Sequence, residues 1–211
     1  DGDIVANIPI DDVVEQHKNS GNDITMVVTK KSKESPFTTY CEMNRRREIV
    51  DIRVGDSNDS RCKHQALGIY VMSRQYLIHL IADCVTHNCI HFERELLTRA
   101  LTDSKIGGYL FGEYAVKIED AKDYFQSNMD LPDKETRDEV FMRTRPIYTR
   151  IYDESPAYYG DKAMVEDSLI ADGCHIEGKV VNSILFRDVL VEKDAEIRDS
   201  IIMENGRILT G

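Results

Sequence analysis

The densest group of chemically able side chains in this 211-residue sequence is Cys84-Val85-Thr86-His87-Asn88-Cys89-Ile90-His91. It carries two thiols and two imidazoles within eight positions, the donor types that zinc prefers. Compact zinc sites, however, usually pair two such ligands with two more a dozen or more residues away. Four on one short segment cannot easily surround an ion. The plainer reading is a helix end and a loop with polar His and half-buried Cys. No P-loop and no dinucleotide G-x-G-x-x-G is present, and the pair Gly107-Gly108 is too little to define a phosphate loop. No Ser–His–Asp or Cys–His arrangement is legible, because such groups meet in space rather than along the chain.

The five cysteines, Cys41, Cys62, Cys84, Cys89 and Cys174, are odd in number and widely scattered. That argues against a disulfide framework and for reduced thiols in a cytoplasmic protein. The formal net charge is −11. A phosphate backbone or an anionic membrane would be repelled, so neither is an expected partner. A small anion in a local basic pocket remains compatible with that charge. No apolar run approaches the ~18 residues of a membrane span. The start, Asp1-Gly2-Asp3-Ile4-Val5, lacks the basic and apolar regions of a signal peptide. It also lacks Met, which suggests a processed product or a fragment.

The elements that must position any site follow from hydrophobic period. Asp11 to Lys18 reads as a short helix with acids in its first turn, stopped by Gly21. Asp23 to Thr29 is a buried-strand run, and the basic stretch with Lys30, Lys31, Lys33 and Pro36 reads as a solvated loop. Glu48 to Val54 alternates like a half-exposed strand, 55–60 is a loop by composition, and Leu67 to Met72 is a strand. Ser73 can cap a helix carrying Tyr76, Leu77, Leu80 and Ile81, and Phe92, Leu96, Leu97 and Leu101 mark another. A strand at Ile106 to Phe111 and a helix at Glu119 to Met129 complete the pattern. Alternating strands and helices predict an α/β domain over residues 1–150 with a parallel or mixed sheet.

The last fifty residues repeat. Asp167-Ser168-Leu169-Ile170, Asn182-Ser183-Ile184-Leu185 and Asp199-Ser200-Ile201-Ile202 start 15 and 17 residues apart. Each is followed, nine positions after its opening residue, by an aliphatic: Ile176, Val191 and Ile208. A hexapeptide β-helix explains this. Each coil has three flat sides of about six residues, and its corners take Gly, Asn or Asp, which tolerate left-handed backbone. Coils bury their apolar residues only by stacking, so about three are needed. Offsets below ~18 imply trimmed corners. Residues 151–211 are therefore read as a linker and the first coils of a left-handed parallel β-helix, whose open end needs a cap or partner.

Local sequences then resemble one family. Leu67-Gly68-Ile69-Tyr70-Val71 resembles the Met-Gly-Ile-Tyr-Ile strand of ADP-glucose pyrophosphorylases, also called glucose-1-phosphate adenylyltransferases. Tyr124-Phe125-Gln126-Ser127-Asn128-Met129-Asp130-Leu131 resembles their Asn-Met-Asp-Leu helix, Pro146-Ile147-Tyr148-Thr149 their linker, and Ser183-Ile184-Leu185-Phe186 their first coils. The resemblance implies a partial, Rossmann-like nucleotidyltransferase domain, with the nucleotide loop and catalytic Arg lying upstream. It implies ATP and glucose 1-phosphate as substrates, Gly68 and Tyr70 as substrate-binding residues, and Mg²⁺ held by Asp3 of Gly2-Asp3.

The departures from that family change the implied role. Its Gly-Tyr-Trp-x-Asp-Val-Gly-Thr aligns with Gly112-Glu113-Tyr114-Ala115-Val116-Lys117-Ile118-Glu119, so Val116 stands where the second metal Asp would be. The Glu-Lys-Pro that contacts the sugar phosphate is missing near Arg53-Val54-Gly55, and Ala66 replaces a Ser. Magnesium takes oxygen ligands in octahedral geometry, and a valine offers none. The pattern resembles the regulatory, catalytically weak subunit of two-subunit bacterial enzymes of glycogen synthesis, which assembles with a catalytic subunit or with itself. An active enzyme with Glu113 or Glu119 as a replacement ligand is the alternative. A hexapeptide acyltransferase using His175 is a more distant one.

Overall fold

The computed structural model describes residues 2–32, 34–55, 60–151 and 153–210. Lys33 of the basic stretch and 56–59 of the expected loop lie outside the described residues, as do both terminal residues. The chain forms two compact units, Asp1–Glu119 and Asp120–Gly211.

The first unit runs β1 (Ile4–Ala6), α1 (Ile10–Ser20), β2 (Ile24–Lys30), β3 (Thr39–Met43), β4 (Ile49–Val54), β5 (His64–Met72) and α2 (Arg74–His87). A π-helical turn at Phe92–Leu97 then leads into α3 (Thr98–Asp103), β6 (Ile106–Leu110) and β7 (Ala115–Lys117). Asp11 and Asp12 sit in the first turn of α1, and Gly21 ends it at φ 64°, as the sequence predicts. The Ser73 side chain accepts from the Tyr76 backbone N–H to start α2.

Five strands form a mixed sheet in the order β4-β3-β5-β2-β6. Only β2 and β6 run parallel. β2 reads as an unbroken apolar run because it lies between β5 and β6 and is buried from Ile24 to Thr29. Its side chains divide by period two. Ile24, Met26 and Val28 pack with Leu80, Leu96, Leu97 and Ala100. Val27 packs on the other side with Val13, Leu67 and Phe111. Each such side chain contributes roughly 1.5–3 kcal/mol on full burial.

The sheet curls until its ends meet. The Gly108 N–H donates to the Arg47 carbonyl at 2.7 Å, and Glu48 bridges Gly107. A Cβ on Gly107 would lie 1.9 Å from Asn22 Nδ2, and one on Gly108 2.6 Å from Met43 Sδ. The glycine pair serves close packing here, not a phosphate loop.

The second unit opens with α4 (Ala121–Met129), capped by Asp120 and starting two residues later than the expected Glu119, and α5 (Lys134–Val140), capped by Asp133. Ten short strands follow: β8 (Tyr158–Tyr159), β9 (Met164–Glu166), β10 (Leu169–Ile170), β11 (His175–Ile176), β12 (Lys179–Val181), β13 (Ile184–Leu185), β14 (Leu190–Val191), β15 (Glu196–Arg198), β16 (Ile201–Ile202) and β17 (Arg207–Ile208). They stack as three parallel sheets, β8-β11-β14-β17, β9-β12-β15 and β10-β13-β16. This is a three-turn parallel β-helix. Partners on the first sheet, Tyr158, His175, Leu190 and Arg207, lie 17, 15 and 17 residues apart.

The corners explain the repeat. Asp167, Asn182 and Asp199 each take φ 45°, and Gly173, Asp188 and Asn205 take φ 78°, 57° and 60°. The expected trimming falls at Glu177-Gly178, where two residues join β11 to β12 against four (192–195) joining β14 to β15. A Cβ on Gly178 would sit 2.3 Å from the Ala195 carbonyl. Inside, Ile176, Val180, Leu185, Val189, Val191 and Ile197 form the core. Ser168, Ser183 and Ser200 form a column. Each hydroxyl donates two residues back, and the Ser183 and Ser200 N–H groups donate to the hydroxyl of the coil before at 3.1 and 3.2 Å.

Candidate functional site

The residue-by-residue expectations converge on two places in the first unit. The first is the antiparallel ribbon of β1 and β7. Its register sets Ile4 opposite Lys117, Val5 opposite Val116 and Ala6 opposite Ala115. The Ile118 N–H donates to the Asp3 carbonyl at 2.7 Å, extending the ladder by one pair. Directly opposed residues share a face, and faces alternate along a strand. Ile4, Ala6 and Ala115 therefore turn toward the apolar cluster they join. Asp3, Val5, Val116 and Ile118 turn the other way.

Asp3 and Val116 thus lie on one face, diagonal across the ribbon. Diagonal neighbours are typically about 7–8 Å apart, near enough for two carboxylates to share one ion. One Asp3 carboxylate oxygen, Oδ1, is buried and has no hydrogen-bond partner among the described residues. Such an orphan acceptor costs roughly 1–3 kcal/mol, which a bound cation would offset. Val116 gives such a cation nothing. Among the described residues no three His, Cys, Asp or Glu side chains gather as a metal site. The residues present do not complete a magnesium site, and no chemical step is derived through one.

The second place is a cavity of about 340 Å³ lined by Pro36, Phe37, Val54, His91, Phe92, Glu93 and Arg94. Glu93 organises it. The Thr39 hydroxyl donates to one of its carboxylate oxygens and the Tyr70 hydroxyl to the other. The Tyr70 ring meets Phe92 edge to face at 5.1 Å. Burial, then the adjacent Glu93 charge, push the Tyr70 phenol well above its ordinary range. Tyr70 is thus held as a neutral donor. Gly68, two residues before it, takes φ 68° where the register between β2 and β5 slips at Met26 to Val28. A left-handed residue there suits glycine and forms a bulge, which sets the direction of Tyr70.

Val54, from the Arg53-Val54-Gly55 stretch near which the resemblance expects a sugar-phosphate contact, lines this cavity. Arg94 and His91 are the basic side chains in its lining. Glu93 was not foreseen from sequence. Its two donors lie 54 and 23 residues away, and only the π-helical turn brings it to them. Such turns recur at functional sites, but no local pattern announces one.

A hydrogen bond joins the cavity side to the ribbon. The Thr38 hydroxyl donates to Glu119 Oε1 at 2.6 Å, one residue beyond the Asp3–Ile118 pair. Glu119, considered as a replacement ligand, is engaged in that bond. Glu113, the other replacement considered, lies in the bend just before β7.

His175, considered for acyl transfer, lies in β11 on the side of the β-helix. It stacks on Tyr158 at 4.4 Å between ring centroids, and its Nε2 lies 3.1 Å from Glu177 Oε1. In the Cys84–His91 segment, His87 Nδ1 turns back along α2 to Asp83 Oδ1 at 3.1 Å. No helix among the described residues is long and apolar enough to cross a membrane.

Residues 155–211 match a family model described as GlmU-like, C-terminal hexapeptide. Over 136 residues the chain is 37% identical to the glycogen biosynthesis protein GlgD of Bacillus subtilis, covering 64% of this chain and 39% of that protein. It is 31% identical over 142 residues to GlgD of Geobacillus stearothermophilus, covering 67% of this chain and 41% of that protein. It is 28% identical over 213 residues to a glucose-1-phosphate adenylyltransferase of Bacillus cereus, covering 98% of this chain and 56% of that enzyme. The chain thus spans about half the length, or less, of these relatives.

Proposed function

We propose that this chain, a homologue of the GlgD glycogen-biosynthesis proteins and of the glucose-1-phosphate adenylyltransferases, is part of a regulatory subunit of ADP-glucose pyrophosphorylase that acts through assembly rather than chemistry. The whole reaction would join glucose 1-phosphate to the adenylyl group of ATP and release pyrophosphate. Negative charge grows on the transferring phosphoryl oxygens, and metal ions and cationic side chains must stabilise it.

The observation that carries this reading is the placement of Asp3 and Val116 diagonally on one ribbon face. By the family resemblance a second carboxylate would stand at position 116, and Val116 supplies none. By the same resemblance, the Glu-Lys-Pro expected to contact the sugar phosphate is missing near Val54, which lines the cavity wall. Losses at a phosphoryl-transfer centre of this kind cost on the order of 10²–10³ in rate per stabilising group.

Assembly has its own support. Tyr158 and Met164 on the first coil, and Met203 and Leu209 on the last, are more than half exposed. Apolar surface on stacked coils is suited to cover by a neighbour. The partner would be a catalytic pyrophosphorylase subunit or a second copy. The test is to mix the full-length protein with its catalytic subunit and follow ADP-glucose formation. A raised rate in the mixture supports the reading, and an unchanged rate with no co-elution rejects it.

The second reading, an active enzyme with a substituted ligand, draws on Glu119 lying one residue beyond the Asp3–Ile118 pair. Replacing Glu113 and Glu119 with Gln together would abolish activity on that reading. An unaffected rate would reject it.

A further inference from the structure

The C-terminal end of α2 holds a pair of thiols in a defined backbone setting. Asn88 takes the left-handed conformation at φ 52° just past the helix. Its N–H donates to the Val85 carbonyl, and the Cys89 N–H reaches back to the Cys84 carbonyl at 3.0 Å. These two bonds define a Schellman cap, which brings the side chain three residues before the helix end against the one two residues beyond it. In most proteins that contact is aliphatic. Here both positions are cysteine.

Accessibility separates this pair from the other cysteines. Cys41, Cys62 and Cys174 are buried, whereas Cys84 and Cys89 are partly exposed. Both line one open cavity of about 660 Å³ with Leu77, Ile81, Val85 and Ile90.

We propose that Cys84 and Cys89 form a reversible intrachain disulfide, with a low-molecular-weight disulfide such as oxidised glutathione as the oxidant. The step balances as thiol–disulfide exchange. The Cys89 thiolate attacks the small disulfide, forming a mixed disulfide and releasing one small thiol. Cys84 then gives up its proton and attacks Cys89 Sγ, releasing the second small thiol. Two protein thiols are oxidised and one small disulfide is reduced.

The order follows from the surroundings. Burial, then Cys89 itself, with Asp83 and Glu95 adding to it, hold the Cys84 thiol above its ordinary range. Cys84 is therefore the poorer first nucleophile and the suitable resolving thiol. The bond pins the loop at Ile90 to the helix end, so it fixes one wall of the apolar cavity. None of this depends on whether the chain transfers adenylyl groups.

The test uses the whole 211-residue chain. It is incubated with oxidised glutathione, blocked with iodoacetamide and cut with trypsin, which leaves both cysteines in the peptide 75–94. The expected product is that peptide two hydrogens lighter than its reduced form, restored by dithiothreitol. Separate alkyl or glutathione groups on Cys84 and Cys89, with no internal link, would overturn the proposal. Cys84→Ser should trap glutathione on Cys89, and no adduct there would also count against it. Asn88→Gly should close the bond as fast as the parent. Asn88→Val, strained in the left-handed region, should close it roughly tenfold more slowly. Equal rates in the two variants would show that the cap does not set the contact.

Discussion

Asp3 and Val116 stand diagonally on the same face of the β1–β7 ribbon, one a carboxylate with a buried oxygen that has no hydrogen-bond partner among the described residues and the other a side chain with no ligand atom. On the proposed reading, a second carboxylate at position 116 would complete a cation site with Asp3. Val116→Asp should therefore create divalent-cation affinity, tightening binding by roughly tenfold or more, as ligand charge tunes such sites. Manganese titration followed by electron paramagnetic resonance reads this directly. Adding Asp3→Asn should remove the gain, and a gain that survived would place the cation elsewhere.

Glu93 holds the π-helical turn to two strands at once through Thr39 and Tyr70. Hydrogen bonds to a charged acceptor contribute roughly 1.5–3 kcal/mol each. Glu93→Ala should thus destabilise the first unit by about 3–6 kcal/mol in urea unfolding. Tyr70→Phe, which removes one donor and keeps the ring on Phe92, should cost about half as much.

Much of this architecture was legible before any coordinates. The β-helix could be read because its corners demand left-handed residues at fixed offsets, and Asp167, Asn182 and Asp199 supply them. Strand β2 and the ends of α1 and α2 were equally plain. Strand β3 was not anticipated, since Thr39 to Met43 lacks alternation and follows the Pro36 turn, yet Tyr40 and Cys41 in it are fully buried. Helix α5 carries too few apolar residues to show a stripe. Val116 is singled out by family resemblance alone, whereas Glu93 acts only through residues distant in sequence.

The coil corners can be tested separately. Asn182→Gly should be nearly neutral at φ 45°, while Asn182→Val should cost about 1–2 kcal/mol. Gly178→Ala should cost more, because its Cβ would press on the Ala195 and Glu192 carbonyls, and overpacking of this kind costs about 1–3 kcal/mol. Thermal unfolding of the second unit, followed by circular dichroism, gives the order.

Burial, with Cys62 nearby, pushes the Cys41 thiol up to about 12. The folded chain therefore keeps a proton that the unfolded chain releases above about pH 9. Stability should be unaffected below that pH and fall as pH rises toward 12, by at most ~1.4 kcal/mol per pH unit for this one group. Cys41→Ala should flatten the decline between pH 9 and 11 in denaturant titrations, although its stability at pH 7 will be lower.

The most direct measurement is the rate at which the full-length protein alone makes ADP-glucose from ATP and glucose 1-phosphate with magnesium present. The Asp3–Val116 geometry predicts a rate at or near background, at least about 10²-fold below that of the catalytic subunit assayed in parallel. A rate comparable to that of the catalytic subunit would contradict the account.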